Sequence, residues 1–545
     1  THSEYEGKLY ASSSNTLTDG STQGHYTVNN GQYSQTYADV LVNINKRIQD
    51  FTIVANIGAS YSGVTSKELG YAGPIRETGI PNLFNVYDLD NAKKRATQVG
   101  WREATESIFA SAEVGWKSML YLTVTGRNDW ASQLTHSPQA SFFYPSVGLS
   151  AVITEILKLP DWVDYLKVRG SFSSVGNPYP RFLTYPTYSY DANKQDWKSQ
   201  TNYPIGKLYP ERTDSWEVGL DATLFKDFKL SGSFYYANTY NQTFDPRLPV
   251  SSGYDKLYVQ TGYVRNYGFE AMLSYGHRWG DFGWDSSFTF SANKNEIVEL
   301  VKDYVHPETG KTYNVDKLEL KTDEGRGFGK AKFILKEGGT LGDLYTHADL
   351  KRDINGNILI DDSGNVTAID NAGDIKLGSV LPKANLAWNN SFSYKGINAG
   401  FLLTARLGGI VYSATQAYLD LYGVSETSAA ARDAGGVWIN GRSRVNPQSF
   451  YEVVASQSGL PTYYTYSATN LRLQEAHIGY TVPRRWLGNV CDINVSLVGR
   501  NLWMIYCKAP FDPEAVATTN NYYQGIDYFM MPSTRNIGFN IKINF

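Results

Sequence analysis

Apolar and polar residues alternate one by one along much of this chain, most cleanly at its end. Ile537, Phe539, Ile541, Ile543 and Phe545 share one side there, and Gly538, Asn540, Lys542 and Asn544 the other. A period of two belongs to a β-strand with one greasy and one wet face. Segments of about ten such residues are what a transmembrane β-barrel requires, with lipid outside and a polar lumen within. The same alternation recurs in Phe51, Ile53, Ala55, Ile57 and Ala59, in Leu166, Val168, Gly170 and Phe172, in Trp216, Val218, Leu220, Ala222 and Leu224, and in Phe401, Leu403, Ala405 and Leu407. The residues between them, Lys167, Arg169, Glu217, Asp221, Glu270, Arg406, Arg500 and Lys542, are therefore expected to face the lumen. The phase slips once: Leu471 and Leu473 are odd while Ala476, Ile478 and Tyr480 are even, which predicts a β-bulge near Gln474 and Glu475.

The connections alternate in size. Short ones fall at Ile48 to Asp50, Gly115 to Lys117, Thr154 to Trp162, Phe225 to Asp227, His277 to Phe282, Lys395 to Ile397 and Pro483 to Val490. Long ones fall between them, at Ser62 to Gly100, Asp129 to Ala140, Asn177 to Glu211, Gln242 to Thr261, Leu300 to Pro382, Gly409 to Thr469 and Ile505 to Pro532. Short periplasmic turns and long extracellular loops impose this order on an antiparallel, all-β, up-and-down barrel. Trp116, Phe228, Trp279, Phe282, Tyr394 and Trp486 stand at or beside short turns, where an interfacial aromatic belt is expected. The count is about 15 strands from roughly Ala38 onward. Residues 38–545 are then the barrel portion, with a long extracellular insertion at 300–382, and Thr1 to Tyr37 are expected to be part of an extracellular loop. Single-chain bacterial barrels have even strand numbers, so the odd count leads us to expect the C-terminal part of a larger barrel.

Composition narrows the alternatives. No run of about 18 apolar residues is present, as a membrane-spanning helix would need. The 41 Tyr, 24 Phe, 12 Trp and 49 Gly among 545 residues fit many strands and aromatic loops, and a net charge of -3 gives no reason to invoke nucleic acid. The two cysteines, Cys491 and Cys507, could pair, although a large barrel needs no staple.

Several stretches carry a family likeness: Leu166-Lys167-Val168-Arg169-Gly170-Ser171-Phe172, Pro210-Glu211-Arg212-Thr213 leading to Trp216-Glu217-Val218-Gly219, and Asn266-Tyr267-Gly268-Phe269-Glu270. Leu471-Arg472-Leu473, Gly479-Tyr480-Thr481-Val482-Pro483, Gly499-Arg500-Asn501-Leu502 and Asp512-Pro513-Glu514 follow in order before the closing strand. From about Val163 to Phe545 the chain resembles the SusC/RagA family of TonB-dependent outer-membrane transporters. The resemblance implies a barrel of about 22 strands with a plugged lumen, and a plug domain and TonB-contacting segment that precede the barrel and are absent from this chain. It also implies a SusD-like surface lipoprotein as lid, and glycan fragments or oligopeptides as cargo imported with energy from TonB.

Signs of catalysis or metal binding are weak. The seven histidines are scattered without a close ligand spacing. Gly325-Arg326-Gly327-Phe328-Gly329-Lys330 lacks the gap that a phosphate-binding loop needs before Gly-Lys. In Asp353-Ile354-Asn355-Gly356-Asn357 the glycine falls too early for an EF-hand, so Asn355-Gly356 and Ser363-Gly364 read as hairpin turns. No cofactor, metal or catalytic group is therefore assigned. Binding chemistry lies instead with aromatic loops: Tyr185, Tyr188, Tyr190 and Trp197 in one, Tyr463 and Tyr464 in a second, Tyr522 and Tyr523 in a third. Tyrosine offers a flat apolar ring and a hydroxyl, which suits sugar faces and peptide backbones alike. A passive porin, and an outer-membrane hydrolase with Ser or His residues on the rim, are the alternatives that the sequence leaves open.

Overall fold

Each alternating segment forms a strand, and the strands pair antiparallel with their sequence neighbours. The computed structural model describes every residue except 12–21, 184–187, 192–195, 199–201, 204–207, 245–255, 306–309, 311, 321–329, 489, 518–523 and 545. Sixteen strands make one sheet in simple sequence order. They are β1 (His2–Tyr10), β2 (Gly24–Ile48), β3 (Phe51–Pro74), β4 (Arg95–Trp116), β5 (Leu120–Ala131), β6 (Ser141–Val152), β7 (Val163–Asn177) and β8 (Glu211–Leu224). β9 (Phe228–Phe244), β10 (Val259–Trp279), β11 (Phe282–Glu299), β12 (Ala384–Tyr394), β13 (Ile397–Leu407), β14 (Asn470–Val482), β15 (Asp492–Cys507) and β16 (Asn536–Asn544) complete it.

The short connections gather at one rim. Lys395-Gly396 is a two-residue turn with both residues at positive φ (45° and 91°), the primed geometry that follows strand twist, and the three-residue connection 225–227 opens on two such residues, Phe225 and Lys226 (52° and 64°). A chain of ring contacts runs beside them: Trp162 to Phe225 at 5.6 Å, Phe228 to Tyr275 at 4.6 Å, and Trp279 to Phe282 at 5.9 Å. The bulge is where the phase slip puts it, because Leu473 and Glu475 pair with consecutive residues of β13, Leu403 and Leu402, and Gln474 is left over.

Two expectations are corrected at the other rim. Within the span expected to be loop, His2–Tyr10 and the residues from Gly24 onward are strand: β1 pairs with Gly24 to Gln32 of β2, which brings the count among the described residues to sixteen and removes the odd number. The connection read as Ser62 to Gly100 is strand as far as Pro74 and again from Arg95. Crossing a bilayer takes about ten residues of a tilted strand, whereas β2 and β3 have 25 and 24. Beyond the lipid band a strand needs no apolar face, and Gly31-Gln32-Tyr33-Ser34-Gln35-Thr36 has none.

The same rim carries a folded cap built from three long connections. A four-stranded sheet of Lys317–Leu320, Ala331–Lys336, Asp343–Thr346 and Ile375–Ser379 comes from the first. Three short helices, Ala414–Leu421, Glu426–Asp433 and Pro447–Val454, come from the second. The third contributes Ile526 and Asp527, which pair in parallel with Tyr412 and Ser413. Phe333, Leu344, Tyr412 and Ile526 are fully buried in one shared core. Ser413 caps the first helix by accepting the Gln416 N–H at 3.0 Å and donates to Asp527 at 2.5 Å, and Asn440 exchanges hydrogen bonds with Ile358 at 3.0 and 2.8 Å. Both expected hairpin turns form within the first connection: Gly356 (φ 82°) and Gly364 (φ 80°) donate to Asp353 and Asp361 carbonyls at 3.1 and 2.9 Å. The Asp353 carboxylate is occupied by the N–H groups of Asn355 and Asn357, each at 2.8 Å.

Candidate functional site: the polar face of the sheet

Pairing register decides which side chains share a face. Arg169, Gly219, Ser233, Glu270, Ser291, Asn385, Arg406 and Asn470 are successive cross-strand partners from β7 to β14, so they form one row on one face. Lys167 pairs with Asp221 two residues further along, and Ser171 with Glu217 two residues back, on the same face. Glu475 pairs with Arg500, Arg500 with Asn536 and Asn494 with Lys542, which extends that face to the last strand. All eight side chains expected in the lumen thus stand on a single side of the sheet. The opposite side is apolar and uncovered: Val218, Phe234 and Phe269 are cross-strand neighbours and are 59%, 48% and 47% exposed. So much contiguous apolar surface is foreign to water-soluble proteins and suits lipid.

The polar face is held by charge pairs. Arg169 meets Asp221 at 2.7 Å and Glu217 at 3.5 Å, and Ser231 donates to Asp221 at 2.6 Å. Arg500 contacts Glu475 at 3.0 Å. Towards the cap, Arg472 is buried and grips Asp512 at 2.8 Å and Glu514 at 3.3 Å. Burial opposes the charge on Asp512, yet hydrogen bonding to Arg472 holds its carboxyl below the usual carboxylate range. Between Arg169 and Arg406 the face hollows into a cavity of about 760 Å³, because Ser231, Gly232, Ser233, Thr289, Ser291 and Ala387 leave its floor unfilled. Sequence reasoning picked out Arg169, Glu270 and Arg406 here but missed these small residues, as well as Gln474 and Glu514. Register brings the strand residues together, while the bulge turns Gln474 and the connection after β15 carries Glu514 to the same cavity.

The aromatic loops divide. Tyr188, Tyr190 and Trp197 are 66%, 54% and 64% exposed, and the last two meet edge-on at 5.3 Å. Tyr464 is a correction: it is buried in the cap with its hydroxyl 2.9 Å from Asp420, so it is packing and not contact surface. Burial, followed by the Asp420 charge, pushes its phenol well above the ordinary value. Tyr463 lies against the same core, 6.1 Å from Phe450. Tyr185, Tyr522, Tyr523, Phe545 and the Gly325 to Gly329 motif lie outside the described residues. Cys491 and Cys507 are not bonded to one another. No group of three or more His, Cys, Asp or Glu among the described residues could hold a metal ion.

One apolar face, one polar face and a single sequential antiparallel sheet define an outer-membrane β-barrel wall. Residues 2–502 match the family described as TonB dependent receptor-like, beta-barrel, and the chain belongs to it. TonB-dependent receptor P3 of Formosa agariphila is 24% identical over 524 residues, which cover 89% of this chain and 50% of that protein. TonB-dependent receptor SusC of Bacteroides thetaiotaomicron is 24% identical over 433 residues, covering 73% and 40% respectively. Among solved structures, the RagAB peptide transporter superposes with a TM-score of 0.72 at 17% identity, covering 96% of this chain and 56% of that one, and so shares the fold. The chain spans about half the length of the curated relatives that it matches.

Proposed function

We propose that this chain forms wall and cap of a TonB-dependent importer that carries oligomeric nutrients, glycan fragments or oligopeptides, across the bacterial outer membrane. The observation that carries the reading is the family match over residues 2–502 on a sheet with a lipid-suited face and a charged, hollowed opposite face. The cap rim is extracellular in this reading and the short-turn rim periplasmic, as in other outer-membrane barrels. A SusD-like lipoprotein closes over the cap, and TonB acts through a plug and contact segment that the family places before the barrel. RagAB, which shares the fold, is a peptide importer, which makes peptides one concrete cargo class. The wall does no covalent chemistry in this scheme; it selects and passes cargo.

The test uses the full-length protein in its host. Uptake of labelled oligosaccharides and oligopeptides should require this gene and should stop when TonB is deleted or the proton gradient is collapsed. Uptake that persists without TonB, together with ion conductance through the reconstituted full-length protein, would make it a passive porin. Cargo cleavage by the purified protein, abolished by one Ser or His substitution, would make it a hydrolase.

A further inference from the structure

One cation of the cavity makes no ion pair among the described residues, and the one carboxylate whose charge acts on it, Glu514, is already engaged by Arg472. Arg169 is paired with Asp221 and Glu217. Glu514 is engaged by Arg472 and, at 3.3 Å, by the Asn470 side-chain amide. Arg406 pairs with no carboxylate among the described residues; its Nη2 donates to the Val380 carbonyl at 2.7 Å, and its Nε is buried without a hydrogen-bond partner. A guanidinium carries five donors in a rigid fork, and withdrawing it from water is costly unless an anion compensates it. Arg406 stands at the cap end of the cavity, where β13 closes at Leu407, so a solute entering past the cap reaches it early.

We propose that Arg406 is a recognition point for a carboxylate of the transported solute. The fork of its guanidinium fits the two oxygens of a carboxylate, and the charge-assisted bonds are about twice as strong as neutral ones. Glu270 restricts which carboxylates qualify. It sits three strands away in the same row, through Ser291 and Asn385, roughly 14 Å off at ordinary strand spacing. Glu270 has no ion-pair partner among the described residues, so a polyanion lying along the floor would be repelled. The solute therefore carries one terminal carboxylate, as a peptide C-terminus or a single terminal uronic acid does.

The inference rests on the import reading for its solute, but equilibrium binding to the purified full-length transporter tests it without TonB or energy. Uptake could thus fail while the binding preference holds, and that would count against import alone. Two matched pairs of probes suffice: short oligopeptides with free or amidated C-termini, and oligosaccharides ending in a uronic acid or in the corresponding neutral sugar. In at least one pair the acid should bind roughly tenfold or more tightly than its neutral partner, the scale of a charge-assisted hydrogen bond; which pair shows it identifies the source of the carboxylate. The preference should vanish in Arg406→Gln and survive in part in Arg406→Lys. No preference in either pair, or one that Arg406→Gln leaves intact, overturns the proposal. Should Arg406→Gln fail to assemble, the wild-type comparison and Arg406→Lys still decide.

Discussion

The barrel sheet and its cap obey opposite rules of burial within one chain. In the sheet, the large apolar residues are the uncovered ones, Phe539 at 78% and Ile537 at 70%. In the cap, Phe333, Leu344 and Tyr412 are fully buried, as in a water-soluble domain. The difference is one of solvent. Lipid replaces the missing core of the sheet, so its strands are specified by a one-sided alternation; the cap meets water and must make its own interior. Where a strand leaves the lipid band, as in the first half of β2, neither rule applies, and backbone pairing is joined by local side-chain contacts such as Tyr26 to Glu6 at 3.1 Å and Tyr33 to Trp101 at 6.4 Å.

The comparison can be broken most severely in the cap. Phe333→Ala should cost the cap about 3 to 5 kcal/mol, the usual range for a buried Phe. Limited proteolysis would then cut the 300–382 segment, while heat-modifiable migration of the barrel in gels stays as in the wild type. Loss of both together would show that sheet and cap fold as one unit.

Next comes the lipid face. Ile541→Arg should cost roughly 2 to 4 kcal/mol, as for a mid-bilayer Arg on a barrel exterior, whereas Asn540→Arg on the polar face should be mild. Equal assembly yields would remove the distinction between the two faces. The exposed rings belong to neither regime. If Tyr188, Tyr190 and Trp197 capture cargo, their joint replacement by Ala should lower uptake several-fold with assembly intact, because loops tolerate change that strands do not. Wild-type uptake would take away their proposed role.

The smallest effect is one of pH. Lys317, then Lys336, both hydrogen-bonded to Asp374 in the cap, hold its carboxyl well below the usual carboxylate range. A depressed folded value stabilises the cap above the unfolded carboxylate pKa of about 3.9, and that contribution is lost as the pH falls through the folded value. Hydrogen-exchange protection of the strands Lys317–Leu320 and Ala331–Lys336 should therefore hold at pH 5 and decline on further acidification, less steeply in Asp374→Asn. Equal pH dependence in the two proteins would assign the ion cluster no part in cap stability.

Legibility in the sequence followed the same division. The ten-residue alternations, the short turns and the bulge at Gln474 could be read because lipid forces a period of two and a bulge breaks it visibly. β1 and the outer halves of β2 and β3 could not, since strands in water on both faces carry no apolar signal. Tyr464 was misjudged for a related reason: a Tyr-rich loop looks alike whether its rings meet cargo or the loop's own core, and only the Asp420 contact separates the two. The cavity depends on residues from β7 to β14 that are far apart in sequence, so its charges were visible one by one but their grouping was not.

The most direct test of the central claim, that one face of this sheet is lipid-facing and the other polar, is a site-by-site scan of β16. Single spin labels would be placed from Asn536 to Asn544 in the full-length protein, with Cys491 and Cys507 replaced, and reconstituted in bilayers. Oxygen, which partitions into lipid, should relax labels at 537, 539, 541 and 543 most strongly, and a water-soluble nickel chelate those at 538, 540 and 542. Accessibility without that two-residue alternation, or with its phase reversed, would contradict the account.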